Sequence, residues 1–363
     1  MKVLILANNS GGLYRFRREL LEALIAHGHE VHISTPKGEF IDEMQQIGCS
    51  FIETEISRHG TNPFTDLALV WKYRSIIKTV KPDIVFTYTI KPNVYGGIAC
   101  RLCGVPYAAN VTGLGTAVEN GGLLQKITLT LYKMGLKKAQ RVFFQNQANM
   151  DFMIGHKVVK GAYSLLPGSG VNLEHFSPLP YPAENDGVQF VFISRIMREK
   201  GIEQYLDAAE SVKKKFPECV FHVCGFCEKE YRGRLDDMAK KEIVVYHGPV
   251  SDVREIHKVV HCTVHPSFYP EGLSNVLLES CACARPIITT DRSGCREVIE
   301  DGVNGFMVKQ RDSEDLILKI EKFLALPHEQ KMQMGLAGRA KVEREFDRKI
   351  VVDAYLKELE KGK

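Results

Sequence analysis

Cys262-Thr-Val-His-Pro-Ser-Phe-Tyr-Pro-Glu-Gly-Leu-Ser-Asn-Val-Leu-Leu-Glu279 decides how this chain is read. Its first residues form a short apolar run with the length of a buried strand, and Leu273, Val276, Leu277 and Cys281 then recur at near-helical spacing. The order is strand, loop, helix. Pro270 and Gly272 punctuate the loop, and Ser274 or Asn275 stands where a helix cap belongs, so Glu271 falls in the loop and Glu279 on the helix behind it. A helix N-terminus carries unpaired amide donors and partial positive charge, which suits phosphates or hydroxyls of a ligand. A carboxylate beside it accepts paired hydroxyl donors.

Outward from this stretch the same alternation continues. Strand-like runs at 189–194, 220–224, 243–247 and 286–290 accompany the one at 262–265, and an earlier series lies at 3–7, 31–35, 50–55, 84–89, 107–111 and 141–145. Helical patterns separate most of them, which specifies an α/β chain with parallel sheets covered by helices on both faces. At 363 residues the chain exceeds what one core usually serves, and 44% hydrophobic residues allow two cores. The stretch 168–187 is rich in turn formers and lacks periodicity, as a linker does. Two Rossmann-like domains are therefore expected, 1–168 and 188–345. Glu345-Phe-Asp-Arg-Lys-Ile-Val-Val-Asp-Ala-Tyr-Leu356 has the apolar spacing of a helix that packs back on the first domain, over about 346–363.

Phe190-Val-Phe-Ile-Ser-Arg195 is an apolar strand ending in arginine, and Met197-Arg-Glu-Lys-Gly201 follows it, so Arg195 and Lys200 share one loop. Ligands bind at strand ends in a parallel sheet, and a guanidinium with a mobile ammonium makes a clamp for a diphosphate. Ser10-Gly-Gly12 follows the first strand and precedes a helix expected to start near Tyr14. Gly11 and Gly12 there let backbone amides approach a phosphate or a sugar. The pair lacks the Gly-x-Gly-x-x-Gly spacing that a nicotinamide-dependent oxidoreductase needs.

Together these residues resemble family 4 of the retaining glycosyltransferases, whose members carry a glutamate, seven residues and a second glutamate, preceded by an arginine and lysine pair. Val223-Cys-Gly225, His247-Gly-Pro249, Pro286-Ile-Ile-Thr-Thr-Asp291 and Asp301-Gly-Val-Asn-Gly-Phe306 match further, in the expected order. Thr87-Tyr-Thr-Ile-Lys-Pro-Asn-Val-Tyr-Gly96 and Asn110-Val-Thr-Gly-Leu-Gly115 are similar to the N-terminal half of a bacterial subgroup that builds capsular polysaccharide, O-antigen and lipid-linked glycans. The resemblance implies the GT-B fold, two Rossmann-like domains facing across a cleft, with the donor held mainly by the C-terminal domain and the acceptor mainly by the N-terminal one. It implies a nucleotide-sugar donor, UDP-linked, and transfer of a hexose or N-acetylhexosamine with retention to a sugar acceptor on an isoprenoid (polyprenyl) diphosphate.

In that reading Arg195 and Lys200 stabilise the leaving diphosphate, and with Glu271 they are the catalytic candidates. Glu279 holds the ribose hydroxyls, while Glu271 with Gly272, Leu273, Ser274 and Asn275 orients the transferred sugar. Gly11 and Gly12 complete the donor set. On the acceptor side, Ser57-Arg58 with Asn62-Pro63 resembles the subgroup's acceptor loop, and Arg58 and Lys91 are candidates for the acceptor's diphosphate. Thr112 stands where many relatives place a histidine, and Glu119 is a candidate substitute. Phe86 and Tyr88 occupy the slots of a His-x-His, so the general base stays open.

A formal net charge of +4 and a pI near 8.4 fit anionic substrates or membrane phospholipid and are too mild for a nucleic-acid binder. No stretch approaches the roughly 18 to 20 consecutive apolar residues of a membrane span, and the apolar run at the start is shorter than a signal core. The expected location is cytoplasmic, soluble or peripheral on the inner face of the membrane. Residues 123–141 alternate apolar side chains with Lys126, Lys133, Lys137, Lys138 and Arg141, a pattern that fits helix packing, an anionic membrane surface, or one face for each. Arg15, Arg17 and Arg18 add to the basic character of the first domain. Cys224-x-x-Cys227 with His222 lacks the second pair of a zinc site, so reduced, buried thiols are expected, with no metal and no cofactor. Two other readings stay open: an NAD(P)-dependent Rossmann oxidoreductase, and a noncatalytic nucleotide-sugar-binding protein.

Overall fold

The computed structural model describes residues 1–56, 63–119, 121–185 and 187–360. The chain divides into two compact units, Met1–Gly170 together with Arg348–Lys363, and Val171–Asp347.

The first unit carries β1 (Lys2–Leu6), β2 (Glu30–Thr35), β3 (Ser50–Glu53), β4 (Ile84–Tyr88), β5 (Tyr107–Val111), β6 (Arg141–Phe144) and β7 (Tyr163–Leu165). They form one parallel sheet in the order β3-β2-β1-β4-β5-β6-β7. Alternation along the strands sends Leu4, Leu6 and Val85 into one core and Val3, Ile5 and Phe86 into the other, so the sheet is covered on both faces. Full burial of each such side chain contributes about 1.5–3 kcal/mol.

The helix expected near Tyr14 begins earlier, at Ser10, and runs Ser10–Ala26. Asn9 caps it, its side chain accepting from the Gly12 amide at 2.6 Å, so Gly11 and Gly12 form the first helical turn rather than a free loop. The C-terminal helix Arg348–Glu360 packs on this unit. Tyr355 meets the Phe86 ring edge-on at 5.1 Å and donates its hydroxyl to Asn110 Oδ1. Arg348 pairs with Glu19 at 2.7 Å, and Glu358 accepts from Arg141 at 2.6 Å. Tyr355 thus sits against a buried polar network in which the Asn110 amide donates to the Thr87 carbonyl and the Asn93 amide to the Asn110 carbonyl.

The second unit carries β8 (Gln189–Ile193), β9 (Val220–Cys224), β10 (Val245–Gly248), β11 (Cys262–His265), β12 (Ile287–Thr290) and β13 (Gly305–Val308). All pair in parallel, in the order β10-β9-β8-β11-β12-β13. In each sheet the chain winds outward from its first strand to its third and then crosses back to the other side of the first strand, the doubly wound arrangement of a Rossmann fold. β7 and β13, short strands at the sheet edges, were not among the expected strands.

The stretch expected as a linker is held for most of its length by the second unit. Arg285, fully buried, donates to the carbonyls of His257 and Pro180 at 2.7 Å and of Leu179 at 3.2 Å. Backbone carbonyls take the place of water around this charge, which is what permits its burial. Among the described residues no helix is long and apolar enough to cross a membrane. All ten cysteines are free thiols.

Candidate active site

In the second sheet β8 lies between β9 and β11, so the chain leaves β8 and β11 toward opposite faces and their carboxyl-end loops part. That is the point at which a doubly wound sheet opens a binding crevice. The loop after β8 ends in a short turn, Arg198–Lys200, closed by Gly201 at φ 79°. A Cβ on Gly201 would lie 2.2 Å from the Pro266 carbonyl oxygen, so glycine is what lets the β8 and β11 loops touch. The Phe268 amide donating to the Glu199 carbonyl at 2.9 Å ties them further.

This contact gathers the charged residues. Lys200 is 9% exposed and donates its ammonium to Glu271 Oε1. Its Nζ lies 4.8 Å from the centroid of the Tyr269 ring, and the Arg195 guanidinium carbon lies 5.8 Å from the same centroid. Arg195 is exposed, open to an incoming anion. Tyr269 therefore seats both cations, each contact worth about 0.5–2 kcal/mol. Sequence reasoning missed it, although its aromatic ring stands two residues before Glu271. His265, the last residue of β11, has both ring nitrogens buried without a partner. Burial first, then the charge of Lys200, push its pKa to about 3, so the imidazole is neutral.

The helix Asn275–Ala282 starts in this crevice. Ser274 occupies the cap position with no side-chain cap bond, and its amide donates to the Gly294 carbonyl at 2.7 Å. Asn275 Oδ1 is buried without a hydrogen-bond partner, a place for a ligand's donor group. Leu273 and Leu277 anchor the helix in an apolar cluster with Val298. Asn275 and Glu279, both half-buried, are four residues apart and share the helix's open side. Gly294, at φ 92°, would place a Cβ 2.7 Å from Glu271 Cβ, so the loop after β12 closes on Glu271 and Gly272 from the other side. The structure thus brings together Arg195, Lys200, Glu271, Gly272, Leu273, Ser274, Asn275 and Glu279 around one crevice.

The remaining candidates lie in the first unit. Gly11 and Gly12 follow β1, but the Gly12 amide is already taken by Asn9. Lys91, just beyond β4, pairs with Asp66 at 2.7 Å, and Tyr95 donates to the other Asp66 oxygen at 2.7 Å. A cavity of about 470 Å³ opens there, lined by Glu55, Asp66, Leu69 and Lys91 among others. Thr112 follows β5 and is half-buried, while Glu119 ends the short helix Thr116–Glu119 and is exposed. Arg58 lies outside the described residues. Arg17, counted with Arg15 and Arg18 in the basic character of the first domain, is buried with its guanidinium 5.1 Å from the Tyr88 ring centroid. Arg15 and Arg18 pair with Glu39 and Glu22 at 3.1 and 2.7 Å.

Comparison with known proteins extends this geometry. Residues 2–146 match a family model described as glycosyl transferase 4-like, and residues 180–341 match one described as glycosyl transferases group 1. The chain is 26% identical over 374 residues to the N,N'-diacetylbacillosaminyl-diphospho-undecaprenol alpha-1,3-N-acetylgalactosaminyltransferase of Campylobacter jejuni, spanning 98% of each. It is 30% identical over 339 residues to a Bacillus subtilis protein that carries the glycosyltransferase name EpsD, spanning 86% of this chain and 84% of that one. The structure of Anabaena Alr3699/HepE in complex with UDP and glucose superposes with a TM-score of 0.81 over 99% of this chain and 100% of that one, at 17% identity. These matches leave no support for the oxidoreductase and noncatalytic readings. With both sheets, the spaced glutamates and the two family models in agreement, the chain belongs to family 4 of the GT-B glycosyltransferases.

Proposed function

We propose that this glycosyltransferase moves a hexose or N-acetylhexosamine from UDP, with retention, to a sugar carried on a polyprenyl diphosphate during surface-glycan assembly. The observation that carries the donor half is the seating of Arg195 and Lys200 on Tyr269, with Glu271 against Lys200, beside a helix N-terminus. As the anomeric bond to the nucleotide breaks, negative charge grows on the departing diphosphate, and two fixed cations stabilise that charge more than the ground state. Lys200 exchanges Glu271 for a phosphate oxygen, which frees the carboxylate to accept hydroxyls of the transferred sugar. Glu271 then orients the sugar and does not attack it. Asn275 Oδ1 and the nearby amides add hydrogen bonds, and Glu279 accepts the ribose hydroxyls.

The second unit takes the donor in this reading and the first takes the acceptor, with Lys91, Thr112 and Glu119 on the acceptor side. The Campylobacter relative, named for a diphospho-undecaprenol acceptor and matched end to end, supports a lipid-linked acceptor here. The inner face of the cytoplasmic membrane is where such an acceptor is met. A panel of UDP-sugars offered with polyprenyl-diphosphate-linked mono- and disaccharides tests the proposal, read by mass spectrometry and by the anomeric proton in NMR. The expected product gains one hexose or N-acetylhexosamine with the donor's anomeric configuration. An inverted product, or no transfer from any UDP-sugar, overturns it.

A further inference from the structure

The first unit carries a surface that the chemistry of transfer does not use. Helix Gly122–Leu136 buries Leu129, Tyr132 and Leu136 in the core and is locked in place, because a Cβ on Gly135 would lie 2.5 Å from Val94 Cα and one on Gly97 would lie 2.2 Å from the Gly135 carbonyl oxygen. Its outer side is apolar nonetheless. Leu123 is 74% exposed, Leu124 50%, Ile127 47% and Met134 49%. Leu123, Ile127 and Met134 fall in one stripe at helical spacing, and Lys126 and Lys133 run beside it as a second exposed stripe.

At the helix's C-terminal end an open cleft of about 680 Å³ is lined by Arg101, Tyr107, Met134, Lys137 and Lys138. Its wall is held by the Tyr107 hydroxyl, which donates to the Gly135 carbonyl at 2.6 Å and the Lys137 carbonyl at 3.0 Å. The sequence is also nearly free of acid here: between Asp83 and Asp151 the only carboxylate side chain is Glu119, against seven lysines and arginines, of which Lys91 and Arg141 pair with Asp66 and Glu358. A rigid helix with an exposed apolar stripe, a flanking basic stripe and a basic cleft at its end complements a surface whose apolar layer lies under anionic headgroups.

We propose that the first unit docks on an anionic phospholipid bilayer through this helix, with Leu123, Leu124, Ile127 and Met134 entering the acyl boundary and Arg101, Lys133, Lys137 and Lys138 meeting the phosphates. This deepens the lipid-linked acceptor reading, and its test needs no transfer activity. The full-length protein is sedimented with vesicles of phosphatidylglycerol and phosphatidylcholine, and with phosphatidylcholine alone. Wild-type protein binds the anionic vesicles and releases in high salt. Lys133→Gln, Lys137→Gln and Lys138→Gln together weaken binding on the order of a hundredfold, since each surface cation contributes roughly a fivefold factor. Leu123→Glu with Ile127→Glu abolishes it. Both variants change exposed side chains, and circular dichroism with thermal melting checks that each is folded.

Binding that ignores anionic lipid, undiminished binding by both folded variants, or wild-type dimerisation through this face without vesicle binding overturns the proposal. Vesicle binding by a protein that transfers no sugar would leave the surface standing and sink the transferase reading alone.

Discussion

Replacing Gly201 by alanine tests whether the β8 and β11 loops are held together as the structure has them. The new methyl carries two separable costs. Gly201 sits at φ 79°, in the left-handed region, where a Cβ costs roughly 1–2 kcal/mol. That Cβ would also stand 2.2 Å from the Pro266 carbonyl oxygen and 2.7 Å from its carbon, so the two loops must separate by about an ångström at a further cost of about 1–3 kcal/mol. Gly302 supplies the control, since its φ is 78° and a Cβ there meets nothing within 4 Å. Gly302→Ala therefore isolates the backbone cost. In urea unfolding followed by circular dichroism, Gly201→Ala is expected to lose about 1–3 kcal/mol more than Gly302→Ala. Because Lys200 immediately precedes Gly201 and its partner Glu271 lies on the displaced loop, transfer should also fall at least about tenfold, while Gly302→Ala stays active. Equal stability losses, with transfer intact in both, would refute this account of how the crevice is assembled.

Acid should weaken the second unit through its buried histidines. His257 and His265 are held neutral with pKa values of about 3 against an ordinary 6.5, so the unfolded chain takes up protons first as pH falls below 6.5 and the stability present above it drains away toward pH 3. At pH 5 each should have lost about 2 kcal/mol, and His265→Gln should flatten the dependence by about one proton; a wild-type slope in that variant contradicts this. Transfer should survive EDTA, because Arg195 and Lys200 already supply positive charge for the diphosphate; loss restored by magnesium or manganese would show otherwise. Tyr355→Phe removes the hydroxyl bonded to buried Asn110 Oδ1 and should cost about 1–3 kcal/mol in urea unfolding, an effect absent if the C-terminal helix is only loosely laid on the first sheet.

Local pattern carried the parts of the molecule whose causes are local. The strand at 262–265, the loop bearing Glu271 and the helix bearing Glu279 are each specified by neighbours in sequence, through apolar spacing and the punctuation of Pro270 and Gly272. Arg195 and Lys200 were legible for the same reason, as residues just past an apolar run. What escaped depends on long-range packing. Lys91 looks like a free cation until Asp66, 25 residues upstream, is folded against it. Nothing in the sequence separates Arg17 from Arg15 and Arg18, and its burial follows from Tyr355 arriving from the far end of the chain. The glycines at 11 and 12 suggested a loop, but Asn9 caps the helix ahead of them and draws both into its first turn. Arg285 gave no sign that it would grip residues 179 and 180, since a buried arginine surrounded by carbonyls leaves no periodic trace. β7 is three residues long, too short for alternation to register, and β13 begins at Gly305 inside a turn-rich stretch that hides its short apolar run.

Calorimetric titration of UDP tests the central claim most directly, because UDP carries the diphosphate and ribose but no transferred sugar. Wild-type protein should bind UDP saturably. Arg195→Ala and Glu279→Gln should each weaken it at least about tenfold, the first by removing a charge partner of the phosphates and the second by blunting the carboxylate's bonds to the ribose. Glu271→Gln should bind UDP at least as tightly as wild type, since Lys200 then gives up no carboxylate when it turns to the phosphates. No saturable UDP binding, or an affinity loss in Glu271→Gln equal to that in Glu279→Gln, would contradict the assignment of the donor to this crevice.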